Sequence, residues 1–179
     1  MNTKVTEVQV KKILELISYG LVKGLGIQKP GMMCVEAVVN AALGLKHGDK
    51  PPCVHNVLNA LKIRLNDSCW SSDKIRAKGL KKLAILQLDT KNNFNEQEFC
   101  NKIKVKFPNY AADAYADDYA DADADAAAYT AADAAAYTAA YDADAAYADK
   151  ILNSFAEGVC EILIEMNVPG CKWLYLLEE

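Results

Sequence analysis

The chain has 179 residues, 52 % of them hydrophobic, and a net charge of −4. That length suits one domain with a core of its own, and nine Gly with five Pro are too few for a loop-rich or all-β chain. Apolar runs never reach the roughly 18 residues of a membrane span, because Asp interrupts the Ala-rich part every few positions, so no membrane contact is expected.

The net charge hides an asymmetry. Residues 1–107 carry 18 Lys and Arg against 9 Asp and Glu, a balance of +9, whereas residues 108–179 carry 2 against 15, a balance of −13. A basic body is followed by an acidic arm. The two halves either pack on each other, or the basic half also binds an anion. The opening MNTKVTEVQVKK lacks the apolar run of a secretion signal. Cys34, Cys53, Cys69, Cys100, Cys160 and Cys171 are therefore expected to be reduced thiols, mostly buried, in a cytoplasmic protein.

In chain order, residues 5–23 predict a first helix, with Val10, Leu14, Ile17 and Leu21 at helical spacing and Gly24 and Gly26 ending it. Residues 32–43 predict a second helix that stops near Gly44. The breaker-dense KHGDKPP follows. Residues 53–66 predict a third helix with Val54, Val57, Leu58, Leu61 and Leu65 on one side. Ser71 or Ser72 caps a fourth, 72–88, and Asp73 suits its first turn. Residues 95–105 predict a short fifth helix before Pro108.

The arm contains DAAAYTAA twice in tandem, at 125–132 and 133–140. Low complexity is the plain explanation of such a repeat. Yet Ala is the best helix former and neither Gly nor Pro occurs between 109 and 157. On a helical wheel Tyr129, Tyr137, Tyr141 and Tyr147 share an arc of about 120° with Ile151, Phe155, Val159, Ile162 and Met166. This predicts a packing element over 125–166 whose inner side is the Tyr stripe. A single helix over 111–166 would be about 84 Å long, against a radius of gyration of about 16 Å for a compact domain of this size. It must project, pair with another chain or fold back, and the Asp-dense run 117–125 is the expected break. Asp133 and Asp144 fall within the stripe, where a carboxylate needs a partner. Lys or Arg of the body is the simplest one, and a ligand hydroxyl the functional alternative. The last residues, GCKWLYLLEE, predict an apolar tail that docks Trp173 and Leu176 on the body. The fold class expected is all-α: a compact helical bundle, 1–107, covered by a long amphipathic helix or helical hairpin over 108–167, with a tail at 168–179.

Three groups of residues carry candidate chemistry. In CWSSDKIRAKGLKK, Trp70 offers a stacking face, and Ser71 and Ser72 present hydroxyls and amides at a helix N-terminus, which favours anions. Arg64, Lys74, Arg76 and Lys78 supply charge-assisted bonds to phosphates, and Tyr129, Asp133, Tyr137 and Asp144 of the arm would contact base and ribose. The plainer reading is a capped surface helix whose cations meet the acidic arm. His47, Asp49, Cys53 and His55, with Cys34, are zinc-competent ligand types, but their spacing matches no standard finger and no metal or cofactor is assigned. Cys34, Glu36 and the histidines also read as a thiol with its base, although nothing in the sequence brings them together.

The stretch CVEAVVNAALGLKHGDKPPCVHNVLNALKIRLNDSCWSSDKIRAKGLKKLAILQL, with the Ala/Tyr/Asp tract and the tail GCKWL, resembles a family of uncharacterised phage, prophage and bacterial proteins. A weaker likeness is to helical immunity proteins of bacterial toxin systems. The first resemblance implies a small accessory or anti-defence protein that works by binding. The expected function is a non-enzymatic binding protein that sequesters a small anionic, nucleotide-like ligand. The alternative is an interaction protein whose acidic helix covers a basic partner. A metal- or thiol-dependent enzyme is the third reading. Nucleic acid is not expected as a partner, and the Tyr stripe makes a homo-oligomer conceivable.

Overall fold

The computed structural model describes residues 4–108, 124–141 and 144–178, with side chains over 131–139 only in the middle segment. It is all-α among those residues. Five helices form the body: α1 (Glu7–Ser18), α2 (Val35–Ala42), α3 (Asn56–Asn66), α4 (Asp73–Leu86) and α5 (Glu96–Lys106). The arm supplies α6 (Ala124–Tyr141) and α7 (Ala145–Glu165), and a 3₁₀ helix (Pro169–Leu177) ends the chain. None of the described helices is long and apolar enough to cross a membrane.

Local chemistry sets these boundaries. Thr6 caps α1 through Gln9, which bonds back to the Thr6 amide in a capping box. The helix stops at Ser18, earlier than the apolar spacing predicts, because Gly20 turns the chain at φ 115°. Ser72 caps α4 as expected, accepting from the Ile75 amide at 3.2 Å. Residues 53–55 belong to a turn, closed by the Val54 amide on Pro51 O at 3.1 Å, so α3 starts at Asn56. Val54, Val57, Leu58, Leu61 and Leu65 are all buried, on the side predicted for the third helix. Leu176 of the tail is buried and Trp173 half-buried against the core. Pro169 opens that 3₁₀ helix, and Gly170 lies so close to the Ile85 and Leu86 carbonyls that any Cβ would collide with them.

The arm lies on the body: α6 packs against α3 and α5, α7 against α4 and α5, and the two arm helices against each other. The expected break at 117–125 lies outside the described residues apart from 124 and 125, which open α6. The continuous stripe over 125–166 is corrected on two counts. First, α6 and α7 are separate, and Asp144 is the extended N-cap of α7, its carboxylate accepting from the Ala146 amide at 2.9 Å. Asp competes with the helical backbone in this way and favours caps over helix interiors. Second, the inner face of α6 is alanine. Ala131, Ala132, Ala135 and Ala139 are fully buried while Tyr137 is 59 % exposed, as is Tyr147 on α7 at 50 %. Small side chains let α6 approach the body closely, and the bulky rings point outward. The side chains of Tyr129 and Tyr141 lie outside the described residues.

At the centre of the body sits an ion pair without solvent contact. The Lys62 ammonium of α3 lies 2.9 Å from Oε1 of Glu36 on α2, both side chains 0 % exposed. Gln87, which closes α4, donates to Glu36 Oε2 at 3.2 Å. Burial pushes the Glu36 carboxyl up and the Lys62 ammonium down, and their mutual attraction opposes both shifts. A carboxyl with a higher pKa folded than unfolded holds an extra proton in the folded state, so its contribution to stability falls as pH rises through that window. We predict that Lys62→Met lowers stability by about 3–5 kcal/mol at pH 7, since it strands a buried carboxylate. Urea unfolding should show this deficit narrowing as pH falls and Glu36 protonates. The double variant Glu36→Leu/Lys62→Met should recover most of it, and a single-variant loss below about 1 kcal/mol would contradict the prediction.

Candidate functional site

The predicted anion site at the start of α4 is built and filled by the chain itself. The Ser71 amide donates to Asp149 Oδ1 at 2.9 Å, and the Ser71 hydroxyl bonds to the same carboxylate. Asp149 comes from α7 and is 7 % exposed. Amides at a helix start do attract an anion, and here it is a side chain of the arm. Lys74 donates to Ser18 O at 2.7 Å. Arg76 is buried and donates to Leu21 O at 2.8 Å and to Asp73 at 2.5 Å. Arg64 pairs with Asp133, the body cation that the wheel position of Asp133 called for. Lys78 remains on the exposed face of α4.

Trp70 requires a correction. Its indole is 6 % exposed, donates to Leu65 O at 2.8 Å, and fits against Gly79, where a Cβ would collide with the ring. It is a core side chain with no free stacking face. Of the arm residues expected beside it, Asp133 pairs with Arg64, Tyr137 is exposed on α6, Asp144 caps α7, and the Tyr129 side chain lies outside the described residues.

The His/Cys constellation is dispersed as well. His47 Nε2 lies 3.0 Å from Gly26 O, while His55 caps α3 and faces Glu96 at 3.7 Å and Phe94. Cys34 is buried, accepts from the Ala37 amide at 3.3 Å, and its thiol is pushed up by burial, which disfavours the nucleophilic thiolate. Among the described residues no three His, Cys, Asp or Glu side chains are placed to hold a metal ion.

The strongest candidate is a cleft of about 350 Å³ that the sequence does not mark. It lies between the segment before α1, the 43–53 turn, the loop after α4 and the start of the 3₁₀ helix. Lys4, Lys91 and Lys172 line it, with Leu43, Leu45 and Pro52 as apolar wall. Asp89 forms its floor at φ 62°, a left-handed conformation uncommon outside glycine. The Asp89 carboxylate accepts from the Val5 amide and from Lys172, both at 3.0 Å. These bonds tie three distant segments around one residue and offset the strain of its backbone. The Lys91 amide is bonded to Cys53 O at 3.1 Å and its ammonium to Asn56 at 2.8 Å. Three lysines thus line the cleft against one carboxylate, which Lys172 pairs, and this lining favours an anion of small-molecule size. A larger groove of about 770 Å³ between α5 and α7 is wide open, and its lysines 102 and 106 are paired with Glu165 and Glu161.

Comparison of the chain with protein-family models, curated proteins and solved structures found no match. The site therefore stands on its geometry. We predict that Asp149→Ala lowers stability by about 2 kcal/mol, the scale of buried hydrogen bonds to a charged group. Thermal unfolding should show a smaller loss for Ser71→Ala, which removes only the hydroxyl bond, and equal losses would contradict this account.

Proposed function

We propose that this protein is a non-enzymatic binder of a small anionic, nucleotide-like ligand, and that its site is the Lys4–Lys91–Lys172 cleft, not the start of α4. The observation that carries this reading is that three lysines, from segments far apart in the chain, line one cleft in which the carboxylate among the described lining residues, Asp89, is already bonded to Lys172. Lys91 and Lys172 would hold phosphate oxygens, and Leu43, Leu45 and Pro52 would cover an apolar or aromatic part. Asn93, which also lines the cleft, would offer its amide to a ligand hydroxyl. Sequestration of a nucleotide signal, in a phage-encoded anti-defence role, is the use that the phage-type resemblance adds.

The alternative, an acidic helix covering a basic partner, draws less support. Asp133, Asp149, Glu157, Glu161 and Glu165 of the arm all bond to the chain's own body.

Thermal shift against inorganic phosphate and a panel of nucleoside mono-, di- and triphosphates tests the proposal. A ligand at about 100 times its Kd should add about 2.7 kcal/mol of stability. Lys91→Glu and Lys172→Glu should abolish the shift, and Arg64→Ala should leave it intact. No shift across the whole panel, or a shift lost only with Arg64, would contradict the assignment.

A further inference from the structure

A second exposed feature lies in the loop between α1 and α2, and it does not rest on the anion cleft. This loop turns back on itself through a bridge between Gly26 and Met33, with the Ile27 amide on Met32 O at 2.7 Å. It is pinned from three sides. Asp67 accepts from the Gly24 amide at 2.8 Å, Asn66 donates to Val22 O at 2.9 Å, and His47 Nε2 lies 3.0 Å from Gly26 O. Gly24, Gly26 and Gly31 take φ near 70°, as such a tight return requires. Residues 25–30 are all exposed, so the loop forms an outward-facing tip.

Its surface is apolar. Ile27 is 55 % exposed, Tyr19 52 %, Leu25 41 % and Met32 41 %, although the backbone beneath is fixed. Neighbouring apolar side chains held in water on a fixed backbone mark a contact surface. Exposed Lys23 and Lys29 stand on the loop and Lys46 on the turn that carries His47; the stretch between Glu15 and Glu36 has no carboxylate of its own, and Asp67, which reaches it from the end of α3, is bonded to the Gly24 amide. Pairing with the same loop of a second copy would set lysine against lysine, so the partner must be anionic. A convex tip of aliphatic and aromatic side chains beside lysines suits a deformable anionic surface better than a rigid groove.

We infer that the Tyr19–Met33 loop is a peripheral contact surface for bilayers rich in anionic lipid. Ile27, Leu25 and Met32 enter the headgroup boundary, while Lys23, Lys29 and Lys46 meet lipid phosphates. This departs from the sequence expectation of no membrane partner, which rests on the absence of a spanning run; a surface contact needs no such run.

Sedimentation of the full chain with vesicles tests this. One set is phosphatidylcholine alone, the other equal parts phosphatidylcholine and phosphatidylglycerol. Partition into the anionic vesicles should exceed that into neutral ones by about tenfold or more and weaken with salt. The double variants Ile27→Ser/Met32→Ser and Lys23→Glu/Lys29→Glu should each lower it about tenfold at unchanged Tm, since all four side chains are exposed. Equal partition into both vesicle types, no binding to either, or binding that survives the Ile27/Met32 change overturns the inference. Capture of soluble polyglutamate by the same loop without vesicle binding assigns the surface to an acidic protein and also overturns it.

Discussion

The buried pair of Glu36 and Lys62 is the constraint around which the body is arranged. Each charge has left water entirely, and each would be strongly unfavourable alone. Their meeting fixes α2 against α3, and the Gln87 amide brings in the end of α4. From Gln87 the same set of bonds continues outward. Its carbonyl accepts from Thr90 at 2.6 Å, and the Thr90 hydroxyl accepts from the His55 amide at 3.0 Å where α3 begins. Helix register in this part of the fold is therefore set by polar geometry as well as apolar packing. A hydrophobic core alone tolerates sliding of one helix on another, whereas a desolvated carboxylate and ammonium accept one arrangement. The thiols near the pair experience the same low-polarity surroundings: burial raises Cys34 and Cys53 above the ordinary thiol range.

A second principle governs the outside. The chain carries opposite charge in its two parts, and the structure uses much of it internally. Lys82 meets Glu157 at 2.9 Å and Lys102 meets Glu165 at 2.9 Å. These exposed pairs contribute little stability each. Asp149 on the Ser71 amide is different, because it is shielded from solvent and satisfies the amide ahead of the Ser72 cap. The lysines of the Asp89 cleft and of the Tyr19–Met33 loop are among the charges that a partner can reach.

Much of the helical layout is readable from the residues. The five body helices follow from apolar spacing and from Gly, Pro and Ser punctuation, and the need of Asp133 for a body cation follows from its place on a wheel. The alanine face of α6 is not readable that way. Ala is accepted on either face, so the wheel follows Tyr, and Tyr137 points outward. Glu36 and Lys62 look like ordinary polar positions on their helices, and only the packing of α2 on α3 shows both to be buried. The candidate cleft escapes sequence reading for the same reason. Lys4, Asp89, Lys91 and Lys172 share no motif, and the left-handed backbone of Asp89 is set by bonds to Val5 and Lys172. The α4 anion site was legible as chemistry but not as occupancy, since nothing local shows that Asp149 arrives there.

The account stands on Glu36 being desolvated in the folded protein. Carbon-detected NMR of the Glu36 side-chain carboxyl through a pH titration measures this directly. The account predicts a midpoint clearly above the ordinary glutamate value of about 4.3. A Glu36 midpoint at or below about 4.3 would contradict it.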